Sequence, residues 1–350
     1  MSQRTLTLVG AAFTLVACAS EPAPEPAAPP PPPPPVETVA ATPPPPELTV
    51  AQKKAAADAK ELADDRAKWE ASEKIESARW TPDLHAKAKA LADKSYPSGD
   101  AALKAALAGP QRRPADVARD AYRHPRETME FFGFKPTMTV VDVGPGEGWY
   151  TEILAPALAA KGRYVATNTD PNGPADKRPT FYGQRFKAFL EHAPEAYGKV
   201  QTIVIDSKAP KLGLDGTADM VLIMRGVHGM KNNGLYGAWL AEISKALKPG
   251  GVLGIVEHRA AAGADPTASA KKGYLPEAWV IAETEAAGFK LAGKSEINAN
   301  PKDTKDYSEG VWALPPTYRN GDKDHDKYAA IGESDRMTLK FVKVAPAKKK

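Results

Sequence analysis

Val140-Val-Asp-Val-Gly-Pro-Gly-Glu-Gly-Trp-Tyr150 decides how the rest of the chain reads. Two β-branched valines lead into Asp142, glycines alternate at 144, 146 and 148, and a helix-forming run, Thr-Glu-Ile-Leu-Ala-Pro-Ala-Leu-Ala-Ala, begins at Thr151. The order is strand, glycine turn, helix start. Glycine permits φ > 0 and a close approach of backbone to ligand, and the first turn of a helix has unpaired N–H groups, so the stretch has the makings of a nucleotide cradle. Its spacing, Asp142-x-Gly144-x-Gly146-x-Gly148, differs from the G-x-G-x-x-G of dinucleotide binding.

Strands and helices alternate outward from this loop. Further strands are predicted over 162–168, over 200–205 ahead of Asp206, from Asp219 in ADMVLIM, and over VLGIVEH. Leu247-Lys248-Pro249-Gly250-Gly251 precedes the last of these, where proline and glycine end a helix and turn the chain into the sheet. A helix is predicted over 276–287, closed by Gly288, then strands over 290–297 and 336–344.

The acidic residue before GxGxG, the strand spacing and LKPGG together resemble class I S-adenosylmethionine-dependent methyltransferases. The resemblance implies an α/β, Rossmann-like fold with a mostly parallel seven-stranded sheet and an antiparallel edge hairpin. It also implies cofactor contacts at Asp142, Gly144, Gly146 and Gly148. Asn168 stands where the family usually has an acid for the ribose hydroxyls, with Asp170 two residues on. Asp206 matches the position that accepts the adenine amino group, its other reading being a strand-end turn. From about Arg113 to Val344 the chain further looks like a family of bacterial predicted methyltransferases of unassigned substrate. RHPRETMEFFG, VDVGPGEGWYTEILAP, EHRA, NANPKDTKDYSEGVWALPP and GESDRMTLKFVKV carry that likeness.

The N-terminal third is different. Residues 1–17 read as an export signal, with Arg4 as its basic end and an apolar core too short to span a bilayer. Leu15-Val16-Ala17-Cys18 looks like a lipoprotein cleavage box, making Cys18, the single cysteine of the sequence, the predicted lipidated residue. Ala19 is not the Asp that commonly retains a lipoprotein at the inner membrane, so the expected location is the bacterial envelope, at the periplasmic face of the outer membrane. The lipidated Cys18 and a proline-rich linker fill 18–47, which would run as polyproline II at about 3 Å per residue. A helical arm is expected over 48–110, broken near Pro82 and Pro97, and the methyltransferase-like domain over 111–345. The formal charge of +4 on 350 residues gives no reason to expect a nucleic-acid partner.

Methyl transfer is an in-line displacement, so the protein must align a nucleophile and, for oxygen or nitrogen acceptors, remove a proton. His228, His258 and Arg259 follow adjacent strand ends and are the catalytic candidates, each histidine having a structural role as its alternative. No cluster of His, Cys and Asp has ligand spacing, so no metal is expected. His124, Asn298, Asn300, Trp312 and Arg319 are the candidate acceptor contacts. The last four lie on the connection between the final two strands, whose apolar Trp312, Leu314, Pro315 and Pro316 predict a lid over the cleft; the alternative is that Trp312 plugs the core. Arg259, on the same side, would suit an acidic or carbonyl-bearing acceptor. The expected function is methyl transfer from S-adenosylmethionine to a small or envelope-associated acceptor, the alternative a non-catalytic cofactor- or ligand-binding module on a lipoprotein.

Overall fold

The computed structural model describes residues 29, 31, 48–206 and 208–344; the expected signal, Cys18 and nearly all of the proline tether lie outside them. From Val50 onward the described chain forms one compact unit. Seven strands make its sheet: β1 (Thr139–Val143), β2 (Arg163–Asn168), β3 (Gln201–Val204), β4 (Ala218–Met224), β5 (Leu247–His258), β6 (Phe289–Ser295) and β7 (Arg336–Lys343). Their order is β3-β2-β1-β4-β5-β7-β6. The first five run parallel, and β7 is antiparallel to both β5 and β6, as the family resemblance implies. The order reverses between β1 and β4, so a crevice opens at their carboxyl ends.

Burial on both faces explains why the central strands β1 and β4 are apolar almost without interruption, whereas the edge strands β3 and β6 are largely exposed and more polar. In β1, Val140 packs into one core and Val141 and Val143 into the other, because successive side chains leave a strand on opposite faces. The LKPGG stretch is not a junction ahead of the strand. Leu247 pairs with Ala218 and Val252 with Met220, so 248–251 forms a bulge within β5, with Gly250 at φ 76°.

The three helices of the arm are Val50–Arg79, Pro82–Asp93 and Gly99–Leu107. Thr81 and Ser98 cap the second and third, their hydroxyls accepting the N–H of Leu84 at 3.3 Å and of Ala101 at 3.2 Å. Residue 110 marks no break in packing. Ala88, Ala102, Leu103 and Ala106 are fully buried in the same core as Val140 and Leu154. The small residues let these two helices lie close to the helix Thr151–Leu158 that leaves the glycine loop. The long first helix docks through separate side-chain contacts, among them Trp69 edge-on to Phe181 at 5.7 Å, Asp65 on Arg178 at 2.6 Å, Glu73 on His192 at 2.6 Å and Arg66 on Gln184 at 2.9 Å. No helix among the described residues is long and apolar enough to cross a membrane.

Candidate active site

The glycine loop connects β1 to the helix Thr151–Leu158 at the crevice. Gly144, Gly146 and Gly148 all have positive φ, 73°, 63° and 88°. A Cβ on Gly144 or Gly146 would meet nothing within 4 Å, whereas on Gly148 it would lie 2.6 Å from the ring of Phe189. The first two glycines therefore keep a wall of the cleft open to a ligand. Gly148, expected at the cofactor, instead makes room for the core. The Gly144 N–H donates to the Thr167 hydroxyl at 2.9 Å, tying the loop to β2.

Asp142 is 1% exposed. Its Oδ2 accepts from the Tyr164 hydroxyl at 2.7 Å, and its Oδ1 has no partner. Burial pushes its carboxyl up to about 6, against the hydrogen bond from Tyr164, which lowers it. A carboxylate with an orphaned oxygen beside an open glycine loop fits a cationic ligand group.

Two cavities of about 700 and 740 Å³ share the glycine loop, Met224, Arg225 and Thr317. The larger is lined by Asn168, Ile205, Met230, Leu235 and Trp239, an apolar slot with a polar edge that fits a nucleoside. Asn168 donates its amide to the Gly183 carbonyl at 3.2 Å and accepts the Thr169 N–H at 2.9 Å, so it holds the end of β2 as well as lining the slot. Asp170 and Asp206 are exposed, outside both linings. Each closes a local turn, accepting from Asn172 N and Lys208 N, both at 2.9 Å. For Asp206 the turn reading is the one observed.

The other cavity contains the histidines. His228 begins the second turn-length of chain past β4, in the helix Val227–Asn232. Its Nδ1 lies 3.0 Å from Oε1 of Glu257, and its backbone N–H donates to Oε2 at 3.1 Å. Glu257 is fully buried near the end of β5. Burial pulls the His228 imidazole down, but the charge and hydrogen bond of Glu257 outweigh it and hold the ring above its ordinary 6.5. His258 Nδ1 lies 2.5 Å from the Ser334 hydroxyl, and burial, with His228 and nearby arginines next, keeps that ring well below the ordinary value. The ring centroids of the two histidines are 5.7 Å apart, and Trp312 stands edge-on to His228 at 6.1 Å.

The expectation of no metal rested on sequence spacing, and the fold does assemble a His, Glu and His group. Donor atoms of His228, Glu257 and His258 lie within 4.8 Å of one another. Both Glu257 oxygens are already engaged by His228 and the His258 N–H, so the arrangement reads first as a hydrogen-bonded dyad.

Trp312, on the single turn Gly310–Ala313, lines the cavity together with Val311, Pro315, Pro316 and Thr317. The connection between β6 and β7 thus stands on the same side as the glycine loop. It is anchored, with Val311 N donating to the Lys272 carbonyl at 2.9 Å, Tyr274 to the Asp303 carboxylate at 3.2 Å, and Asp335 N to Asp303 Oδ2 at 2.9 Å. Its other expected contacts are structural. Asn298, 2% exposed, donates to the hydroxyls of Thr128 and Thr338 at 3.0 and 2.9 Å. Asn300 donates to the carbonyls of Ile331 and Glu333 at 2.9 and 2.6 Å. Arg319 lies over the Trp312 ring at 5.1 Å, outside the cavity lining. His124 adopts φ 40° between two short helices and is not in the lining either.

Arg259 does not face the cleft. It is held by Glu296 at 2.6 Å and lies 3.6 Å from each of Glu277 and Asp335, so three carboxylates surround its guanidinium. The cations that do line the cavity, Arg113, Arg119, Arg123 and Arg225, were not singled out from the sequence as site residues. Glu333 serves two of them and also Arg336, accepting from Arg119 Nε at 2.6 Å, Arg336 Nη1 at 2.8 Å and Arg123 Nε at 3.3 Å. The one available signal was a charged residue, Arg225, directly after the apolar run VLIM.

Comparison with known proteins agrees with this geometry. Residues 117–286 match the family described as "Methyltransferase domain", a span that holds β1 to β5 and the glycine loop. That span, a little under half of the chain, is similar to a methyltransferase domain, and the cofactor of that chemistry is S-adenosylmethionine. No curated protein matches it. Among solved structures, a SAM-dependent methyltransferase from Aquifex aeolicus is 18% identical, over 65% of this chain and 93% of that one, with a TM-score of 0.44. The [4+2]-cyclase SpnF is also 18% identical, over 65% and 82%, with a TM-score of 0.45. The 1,6-didemethyltoxoflavin-N1-methyltransferase of Burkholderia thailandensis is 15% identical, over 69% and 79%, at 0.35.

Proposed function

We propose that the protein transfers a methyl group from S-adenosylmethionine to an oxygen or nitrogen of a small or envelope-associated acceptor, with His228 as the base. The observation that carries this is the His228–Glu257 pair: Nδ1 is committed to a fully buried carboxylate, while the ring lines the cavity shared with the glycine loop. Asp142 would hold the ammonium group of the cofactor, Gly144 and Gly146 would admit its chain, and the slot beside Asn168, Ile205 and Trp239 would take the nucleoside. The cofactor supplies an electrophilic methyl on a positively charged sulfur. His228 Nε2, which has no partner among the described residues, is the atom placed to accept the proton of the acceptor. Glu257 fixes the tautomer and stabilises the imidazolium that results. Trp312 and Pro316 restrict the approach of water. Intact cradle and dyad together favour an enzyme over a non-catalytic module.

The family of bacterial methyltransferases of unassigned substrate, with a lipid at Cys18 and residence in the outer envelope, completes the proposal. Support for these finer points is the sequence around Cys18 and the motifs of the connection.

Calorimetry of the purified full-length protein with S-adenosylmethionine tests the reading. Affinity should tighten about tenfold between pH 5 and 7, because Asp142 loses its proton near pH 6 and the ionised form attracts the cationic ligand. Asp142→Asn should flatten that dependence. No binding at millimolar ligand would sink the proposal.

The dyad has its own measurement. In an NMR titration the His228 ring should change protonation above pH 6.5, and Glu257→Gln should bring it below, since burial then acts unopposed. An unchanged midpoint in the variant would remove Glu257 from the mechanism.

A further inference from the structure

Four arginines, Arg119, Arg123, Arg225 and Arg336, cluster beside His228. Arg119, Arg123 and Arg336 share one carboxylate, Glu333. Arg225, a fourth cation next to them, makes no side-chain hydrogen bond or ion pair among the described residues, although it lines both cavities. Arg123 is 4% exposed, and its Nη1 is also without a partner. Of the other acids at this end, Asp116 is held by Arg113 at 2.7 Å and Glu147 by Arg185, while Asp142 accepts from Tyr164 at 2.7 Å and feels Arg225 only through its charge. Arg225 is half-buried, whereas the unpaired Nη1 of Arg123 is held out of water at a cost that a counter-ion would relieve. Burial and mutual repulsion lower both Arg123 and Arg225, the direction expected of cations left without a counter-ion.

The backbone points the same way. Arg225 has φ 61°, a conformation that costs a non-glycine residue free energy and persists where the surroundings impose it. Its N–H donates to the Val256 carbonyl at 2.7 Å, which fixes the chain at the exit of β4 and turns the side chain toward the crevice. A glycine at 225 would meet the same backbone demand without strain or charge.

We infer that the methyl acceptor is an anion, whose carboxylate or phosphate docks between Arg225 and Arg123 while its nucleophile faces His228. This rests on the methyl-transfer reading and names the acceptor class for that site. A planar guanidinium matches either oxyanion in bidentate geometry. The carboxylate of the cofactor is the other possible source of the charge. The acceptor is favoured because Arg123 and Arg225 meet in the cavity of His228, Ser334 and Trp312, whereas only Arg225 reaches the nucleoside slot.

Inorganic phosphate is the probe. It is titrated into full-length protein saturated with S-adenosylhomocysteine, for the wild type, Arg225→Gly and Arg123→Gln. Phosphate should bind the wild type and weaken at least tenfold in each variant, while affinity for S-adenosylhomocysteine changes less than threefold in Arg123→Gln, whose side chain lies outside the nucleoside slot. Without ligand, Arg225→Gly should unfold at a higher temperature than the wild type, since unpaired charge and backbone strain are both removed; a residue serving stability alone would give the reverse. No phosphate binding by the wild type, unchanged binding in Arg225→Gly, or a lowered unfolding temperature for that variant overturns the inference. Phosphate bound only in the absence of S-adenosylhomocysteine gives the anion site to the cofactor and overturns the acceptor assignment. Failure of S-adenosylhomocysteine to bind, with phosphate still dependent on Arg225, overturns the methyl-transfer reading and leaves the anion site standing.

Discussion

Glu333→Ala should lower the unfolding free energy by about 3–5 kcal/mol at pH 7, the usual consequence of removing one partner from a buried ion cluster. Three guanidinium groups depend on this carboxylate, and it is 5% exposed. Against the cost of burial, Arg123, Arg336 and Arg119 bring the Glu333 carboxyl down to about 2 from an ordinary 4.5. A depressed acid stabilises the fold above its unfolded value and loses that contribution as pH falls through its folded value. The difference between wild type and variant in urea should therefore be full above about pH 5, less than half as large by pH 3, and nearly gone below pH 2. A difference of equal size at pH 3 and pH 7 would show that Glu333 acts through packing and not through charge.

The second large effect separates two glycines that look alike in sequence. Gly146→Val would put a branched side chain into open cleft, and S-adenosylmethionine affinity should fall at least about a hundredfold, roughly 3 kcal/mol. The positive φ adds a strain of about 1–3 kcal/mol to the fold. Gly148→Val carries that strain too, and in addition collides with Phe189 at 2.6 Å, so overpacking adds about 1–3 kcal/mol. Calorimetry and thermal unfolding on both variants should show the larger binding loss at 146 and the larger stability loss at 148. The opposite ranking would reverse the roles given to the two positions.

Local pattern made the fold legible. Apolar strands, helix-ending glycines and the loop after Asp142 are signals within a few residues of one another, and the sheet order follows from their alternation and handedness. Part of the site was legible for the same reason: Asp142, Gly144, Gly146, His228, His258 and Trp312 all line the crevice at strand ends or on the final connection. Position at a strand end does not say which way a side chain turns. Arg259 turned to three carboxylates and Asp206 to its own loop. Asn298 and Asn300 were read as contacts because the connection is long and polar; they are instead the groups that hold it in place. The arginine cluster was out of reach, because Glu333 meets Arg119 and Arg123 across 214 and 210 residues of chain. Its partners are brought together by folding alone.

The glycine loop, the slot beside Asn168 and the exit of β4 all come from residues 142–239, whereas Val311 to Thr317 and Glu333 to Ser334 come from a stretch anchored through Asp303 to the start of β7. Of the later stretch only Thr317 reaches the nucleoside slot, so that stretch shapes the acceptor side almost alone. Substitutions, and even insertions, in the later stretch can remodel what enters beside His228 while leaving the donor half untouched. A lineage carrying this architecture is thereby free to exchange acceptors under selection without first surrendering its hold on the methyl source.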